Sequence, residues 1–279
     1  MSKTVFCSVI FPANLVYFND FIKSLEQQTD DDFNLLLFND GIENLDDFLH
    51  DTRLNFEIIK IQGTIAETRT FIINYLKKTD FESVIFGDTD DFFSANRVED
   101  SKKLLTKFDI VACDINIVNT NGEILELNYW KNREELKSEI NANTIKEYNF
   151  LGLGNTALKI NILPNNLVFD KSIIAIDWYL FTILLTKEIK TFFTFNSSVY
   201  YRQHEQNIVG RKKITFESFK KGFKVKLNHY VNLAKCYKEY EELANSFLMN
   251  QHLLSEDFYK KASINNNIKN PFWWEEIKL

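Results

Sequence analysis

Residues 83–93 read SVIFGDTDDFF. The opening SVIF is rich in β-branched and aromatic residues and ends at Gly87, which marks a short buried strand. Asp88, Asp90 and Asp91 follow at once, three carboxylates in four residues. Such a cluster repels itself unless positive charge sits in it. Hard divalent cations take carboxylate oxygens, and Mg²⁺ commonly shares one or two of them with substrate phosphates. Ligands of open α/β sheets bind beyond the C-terminal ends of the strands. Position and chemistry agree on a metal and phosphate site. A solvated acidic turn would use the same residues, but the strand ahead of them reads as central.

Upstream, residues 5–11 form a continuous apolar run that stops at Pro12-Ala13-Asn14. Phe18, Phe21, Ile22 and Leu25 then share one helical face. FNLLLF at 33–38 is a second buried strand ending at Asn39-Asp40-Gly41, 44–50 a weak helix, 56–61 a third strand and 65–78 a helix. Strand and helix alternate through short loops, which predicts a mainly parallel sheet flanked by helices. Downstream, 97–108 reads as helix, 110–114 as strand, and 115–118 as its continuation or partner. Residues 119–150 are polar and irregular. A helix over 173–185 carries Asp177 near its start. Short strands over 190–195 and 199–201 precede a polar loop over 202–210, and the remainder is helical.

The chain has 279 residues and a net charge of −6, which does not suggest a nucleic-acid partner. Its three cysteines are far apart and fit neither a disulfide framework nor a zinc site. A reducing cytoplasm is the expected setting, and no apolar stretch approaches membrane-spanning length. The first βα turn, FPANL, holds no glycine, so dinucleotide-binding and Walker A loops are both missing. That argues against hydride transfer and P-loop NTPase chemistry.

These punctuation points together resemble the family 2 glycosyltransferases, inverting enzymes of the GT-A fold. The matching segments are SVIFPAN, FIKSLEQQT, LLLFNDG, Arg69 within AETRTFIINYL, DTDD at 88–91, LGLGNTALK, IDWYLF and YRQHEQN. The resemblance spans roughly residues 4–210. It divides the chain into a catalytic domain, 1–210, and a C-terminal helical appendage, 211–279, packed on it. Two departures stand out. Ile176 precedes Asp177 where the family often has an acid, and the Gln-x-x-Arg-Trp of processive synthases is missing.

The resemblance implies a metal-dependent, inverting transfer of sugar from a nucleotide-diphosphate sugar to a glycan or lipid-linked glycan, of the bacterial surface-polysaccharide type. It implies that Asp88 and Asp90 face Mn²⁺ or Mg²⁺, with Asp88 also reaching donor hydroxyls and His204 as a further ligand. Pro12 and Asn14 would line the base and ribose pocket. Asp40 would bind the nucleobase, and Arg69 would hold Asp40 or the nucleotide. Asp177 would be the general base. Gly154 and Asn155 would lie in the acceptor segment, and Trp178 would stack on a sugar or simply belong to the core. Lysines alternate with Phe216, Phe219, Phe223 and Leu227 along residues 211–227. That pattern fits a docked helix better than one lying on the anionic inner face of a plasma membrane. Two rivals remain. A haloacid-dehalogenase-type phosphatase places its Asp-x-Asp after the first strand, not the fourth. A degenerate sugar- or nucleotide-binding domain would lack the metal and base residues.

Overall fold

The structure, a computed structural model, describes residues 2–132, 138–187, 189–204 and 215–264. Its centre is a parallel set of apolar strands. β1 (Thr4–Ile10), β2 (Asn34–Asn39) and β3 (Phe56–Lys60) run side by side. β4 (Ser83–Phe86) flanks β1 on its other edge, with Cys7 opposite Phe86. β1, β2 and β4 carry mainly apolar, buried side chains because helices cover both faces of the sheet. α1 (Phe18–Glu26) buries Phe18, Phe21, Ile22 and Leu25, the stripe read from the sequence. α2 (Ile65–Leu76) starts at a capping box in which Thr64 accepts the Glu67 N–H and Glu67 answers to the Thr64 N–H.

The far half of the sheet is mixed. β5 (Phe92–Phe93) leaves the aspartate loop, and α3 (Arg97–Leu105) leads into β6 (Ile110–Val118). β7 (Ile124–Glu126) and β8 (Glu139–Ile140) give residues 119–150 more regular structure than their polarity suggests. β9 (Thr156–Lys159) wedges antiparallel between β4 and β6. β10 (Thr191–Arg202) runs parallel to β6. The sheet order among the described residues is β3-β2-β1-β4-β9-β6-β10-β5, with β7 on β6 and β8 on β10.

Residues 110–118 form one strand, so 115–118 continue the first part and do not pair with it. Several other sequence expectations are corrected here. The two short strands expected at 190–201 are one strand whose register shifts between Thr194 and Ser198, a bulge that hides its continuity. The weak helix at 44–50 is a 3₁₀ turn, Leu45–Phe48. The helix with Asp177, α4, spans Ile176–Leu185. The C-terminal helical run breaks after α5 (Phe216–Ala234), passes a 3₁₀ turn at Lys238–Tyr240, and resumes as α6 (Glu241–Asn250) and α7 (Glu256–Ile264).

The parallel strands deliver their C-terminal ends to one edge. Pro12–Asn14, Asp40 and the Asp88–Asp91 loop all leave the sheet there. Gly87 makes the exit possible. A Cβ on it would lie 2.5 Å from the Phe93 ring and 2.6 Å from that of Phe6. Those two rings meet edge to face at 5.0 Å between centroids. Gly87→Ala is therefore expected to destabilise the fold by about 1–3 kcal/mol, the usual cost of overpacking a core. Denaturant titration at pH 7 reads the shift, and an unchanged midpoint would contradict this packing.

Candidate functional site

The aspartate loop is held in place by residues far from it in sequence. It turns tightly, with the Asp91 N–H donating to the Asp88 carbonyl at 3.2 Å. Thr89 is buried beneath and donates to the Val9 carbonyl at 3.0 Å. The Asn14 amide donates to Thr89 Oγ1 at 3.1 Å and to Asp90 Oδ1 at 3.2 Å. Asn14 is only 2% exposed, so it braces this loop from below and does not line a ribose pocket.

Arg202 is the main clamp, and sequence reasoning left it in a polar loop. It ends β10 with its side chain 1% exposed. Its backbone N–H donates to Asp91 Oδ1 at 2.8 Å, and its Nε to the Asp90 carbonyl at 2.8 Å. Its Nη1 reaches the Thr120 carbonyl at 2.7 Å and its Nη2 reaches Asp20 Oδ2 at 2.8 Å. The guanidinium also lies 4.6 Å above the Tyr17 ring. Two residues on, His204 Nε2 lies 2.8 Å from Asp90 Oδ2, and its ring stacks on Tyr17. The only sequence signal for Arg202 is the Tyr-Arg-x-His string itself.

Next to this loop opens a cavity of about 280 Å³ lined in part by Asp88, Asp91, Arg69, Gly152, Gly154, Asn155 and Asp177. Gly154 permits the approach of the acceptor segment, because a Cβ there would lie 2.6 Å from Asp88 Oδ2. Asn155 is buried and donates to the Cys113 and Phe150 carbonyls, so its amide shapes the backbone of this wall. Arg69 Nη2 stands 3.9 Å from Asp88 Oδ1, an ion pair at the limit of contact. The guanidinium therefore faces the aspartate loop and the cavity rather than Asp40. Asp40 and Pro12 share the sheet edge but do not line this cavity.

Electrostatics mark the same place. Burial, with Asp90 and then Asp177 adding repulsion and Arg69 opposing, pushes the Asp88 carboxyl up to about 6. Its side chain keeps 43% of its surface in the cleft, so cleft water moderates the effect. Asp91 is raised further, chiefly by burial and then by Asp90 and Asp88, with the Arg202 N–H opposing. Burial also raises Asp177, against the Trp178 N–H and Arg69. The Trp178 N–H bonds to Asp177 Oδ1 at 2.8 Å, leaving Oδ2 toward Gly152, 3.7 Å from where a Cβ there would lie. The N-cap of α4 is Ala175, so Asp177 is not the capping residue.

Trp178 is 0% exposed and cannot stack on a sugar. Its Nε1 donates to the Ile145 carbonyl at 2.7 Å, and its ring lies on His229 at 3.9 Å. Asp88, Asp90 and His204 do not close into one metal cage, and no group of three such ligands gathers among the described residues. A cation here would rest on one or two carboxylates and be completed by phosphate oxygens, the arrangement Mg²⁺ favours. Uncompensated carboxylate charge in the loop fits that arrangement.

The phenylalanines of α5 face inward. Phe219 and Phe223 are buried, with rings against Tyr259 and Phe247. Lys226 is buried as well, so the apolar face of this helix is not open to a membrane. Arg211, Lys212 and Lys213 lie outside the described residues. No helix among the described residues is long and apolar enough to cross a membrane.

No family model and no curated protein matches the sequence. Solved structures do match in shape. TarS 1–349 of S. aureus in complex with UDP-GlcNAc aligns with a TM-score of 0.62 at 15% identity, covering 90% of this chain and 72% of that one. The same fragment with UDP gives 0.60 at 14% identity, with 96% and 76% covered. The mannosyltransferase PcManGT from Pyrobaculum calidifontis, with GDP-Man and Mn²⁺, gives 0.60 at 9% identity, with 96% and 77% covered. The fold is the mainly parallel, helix-flanked α/β fold of the GT-A type.

Two outcomes follow from the geometry. Arg202→Lys keeps the charge but loses the fork that reaches the Asp90 and Thr120 carbonyls. Leaving such buried groups unpaired costs about 1–3 kcal/mol, and calorimetric unfolding measures it. Asp88→Asn tests the charge crowding. A carboxyl raised in the fold contributes stability that is present below its unfolded value, about 4, and lost as pH rises through about 6. The variant is therefore expected to melt higher than the parent at pH 7.5, with the gain gone at pH 4. A gain that persists at pH 4 would contradict the repulsion.

Proposed function

We propose that the chain is an inverting glycosyltransferase, moving a sugar from a nucleotide-diphosphate donor to a hydroxyl of a glycan or lipid-linked glycan. The observation that carries this is one cavity, at the C-terminal edge of a GT-A sheet, with the Asp88 carboxylate and Arg69 on one side and the Asp177 carboxylate on another. The solved neighbours holding UDP-GlcNAc, UDP, and GDP-Man with Mn²⁺ support it. The family 2 resemblance supports the inverting course and a bacterial surface polysaccharide as product.

The chemistry runs between the two carboxylates. The acceptor oxygen attacks the anomeric carbon opposite the nucleotide, and the bond from that carbon to the diphosphate breaks with its electron pair on the diphosphate. The acceptor proton passes to Asp177. Burial raises that carboxyl above its ordinary range, which makes its carboxylate a stronger base. Arg69 lies where it can orient the donor beside Asp88. Asp90, with His204 against it and Asp88 nearby, would hold Mn²⁺ or Mg²⁺ together with the donor diphosphate. The ion supplies Lewis-acid stabilisation of the leaving group. Asp40 and Pro12, on the same edge, are proposed to meet the nucleobase. Asn14 and Arg202 fix the loop.

Removing the two aspartates separates their roles. Asp90→Ala is expected to lose Mn²⁺-dependent donor binding along with turnover. Asp177→Asn is expected to lower transfer by about 10²- to 10⁴-fold, the usual worth of a general base, with donor affinity kept. Calorimetric donor titration beside transfer rates measures both. Near-normal transfer by Asp177→Asn would remove it as the base.

A further inference from the structure

Trp178 turns into the core, so an aromatic surface for a sugar ring must come from elsewhere in the cavity. Three other aromatic residues line it, Trp130, Phe150 and Tyr201. Trp130 is 3% exposed and Phe150 2%, which leaves neither a ring face to offer. Tyr201 is only partly buried. It packs on the core, lines the cavity and retains accessible surface.

Strand alternation explains where this ring stands. Tyr200 stacks on Phe92 at 4.6 Å, and the Arg202 guanidinium lies 5.4 Å from the same ring. Those two side chains occupy one face of β10. Val199 and Tyr201 take the other, and both line the cavity. The backbone here is held on two sides. The Arg202 N–H donates to Asp91 Oδ1 and the Gln203 N–H to the Val118 carbonyl at 2.8 Å, while Tyr201 is in register with Ile117 of β6. A tyrosine on so fixed a strand loses little conformational freedom when a ligand covers it.

Sheet order decides which sugar meets it. β1 and β2, with Pro12 and Asp40 at their exits, lie on one side of β4, and β9, β6 and β10 lie on the other. A donor whose base meets the first edge and whose diphosphate meets the aspartate loop leaves the β10 side to the acceptor. The cavity also has partners for hydroxyl groups. A Cβ on Gly152 would lie 3.3 Å from Asn155 Oδ1 and 3.7 Å from Asp177 Oδ2, so two oxygens able to accept hydrogen bonds flank that glycine. An aromatic surface with a few placed polar groups is what orients a small ligand.

We infer that Tyr201 is an acceptor-binding residue, whose ring takes the C–H face of a pyranose while the reacting hydroxyl points at Asp177. The inference rests on the glycosyltransferase reading. An aromatic ring contact is worth about 2- to 12-fold in affinity.

Saturation-transfer NMR on the full chain, in Mn²⁺ with UDP or GDP bound, tests it. The probes are the methyl glycosides of glucose, galactose, mannose, rhamnose and N-acetylglucosamine. At least one is expected to bind the parent, and irradiation of aromatic protons is expected to saturate the ring protons of one face more than those of the other. Tyr201→Phe is expected to keep that binding. Tyr201→Leu is expected to weaken it by about 3- to 10-fold, with nucleotide affinity by calorimetry unchanged. Should Tyr201→Leu lose the nucleotide as well, the one-sided saturation in the parent decides. Nucleotide binding with no glycoside bound, a glycoside saturated evenly on both faces, or glycoside binding by Tyr201→Leu equal to the parent's overturns the inference and leaves the glycosyltransferase reading standing. If neither UDP nor GDP binds, that reading falls and the inference falls with it.

Discussion

Three carboxylates in four residues are the constraint on which the rest of this molecule turns. Negative charge at that density is held only where the backbone around it cannot relax away. The chain meets this with neutral donors and one guanidinium. Asn14 and Thr89 tie the loop to the end of β1, and Arg202 ties it to β10, Asp20 and Thr120. Two of these bonds hold the Thr89 side chain, one caps Asp91, and two anchor the Arg202 side chain beside the loop. None of them neutralises Asp88, whose nearest cation, Arg69, is 3.9 Å away. A loop fixed this firmly and left this negative is preorganised for a positive ligand, because the electrostatic strain is built before the ligand arrives.

The same bracing explains which parts of the fold the sequence discloses. β1, β2 and β4 are legible because strands covered on both faces must be apolar throughout, and their polar exits mark the ligand edge. Asp88, Asp90 and Asp177 are legible because carboxylates in such places have few structural reasons to be there. Arg202 and Asn14 are not. A buried arginine at a strand end and a buried asparagine in a turn look like loop residues until their partners, far away in sequence, are known. β9 is hidden for a related reason. Its four residues are too short to show a period, and only their fit between β4 and β6 makes them a strand.

Trp178 shows the opposite error. Next to a base candidate, an aromatic ring invites a role in sugar stacking, yet the ring lies wholly inside the protein. Helical geometry separates the two neighbours. Consecutive residues on a helix point about 100° apart, so a helix that faces Asp177 toward the cavity turns Trp178 elsewhere. Here that direction is the core, where the indole bonds to the Ile145 carbonyl.

This division of labour gives α5 a part in the site that it never touches. His229 of α5 stacks on Trp178 at 3.9 Å and Tyr230 meets it edge to face, while Tyr230 also donates to the Lys146 carbonyl. Trp178 is thus clamped between α5 and the Ala142–Ile145 turn, and the Asp177 backbone is one bond away from the clamp. Burial lowers the His229 imidazole's affinity for protons far below its usual range, with Lys226 adding to the effect. The imidazole therefore stacks as a neutral ring, an apolar surface packed on another. Ring packing behind Trp178 thus fixes the start of α4, and with it the place of Asp177 in the cavity wall. The C-terminal helix secures the Asp177 carboxylate through shape, just as Arg202 secures the aspartate loop through hydrogen bonds.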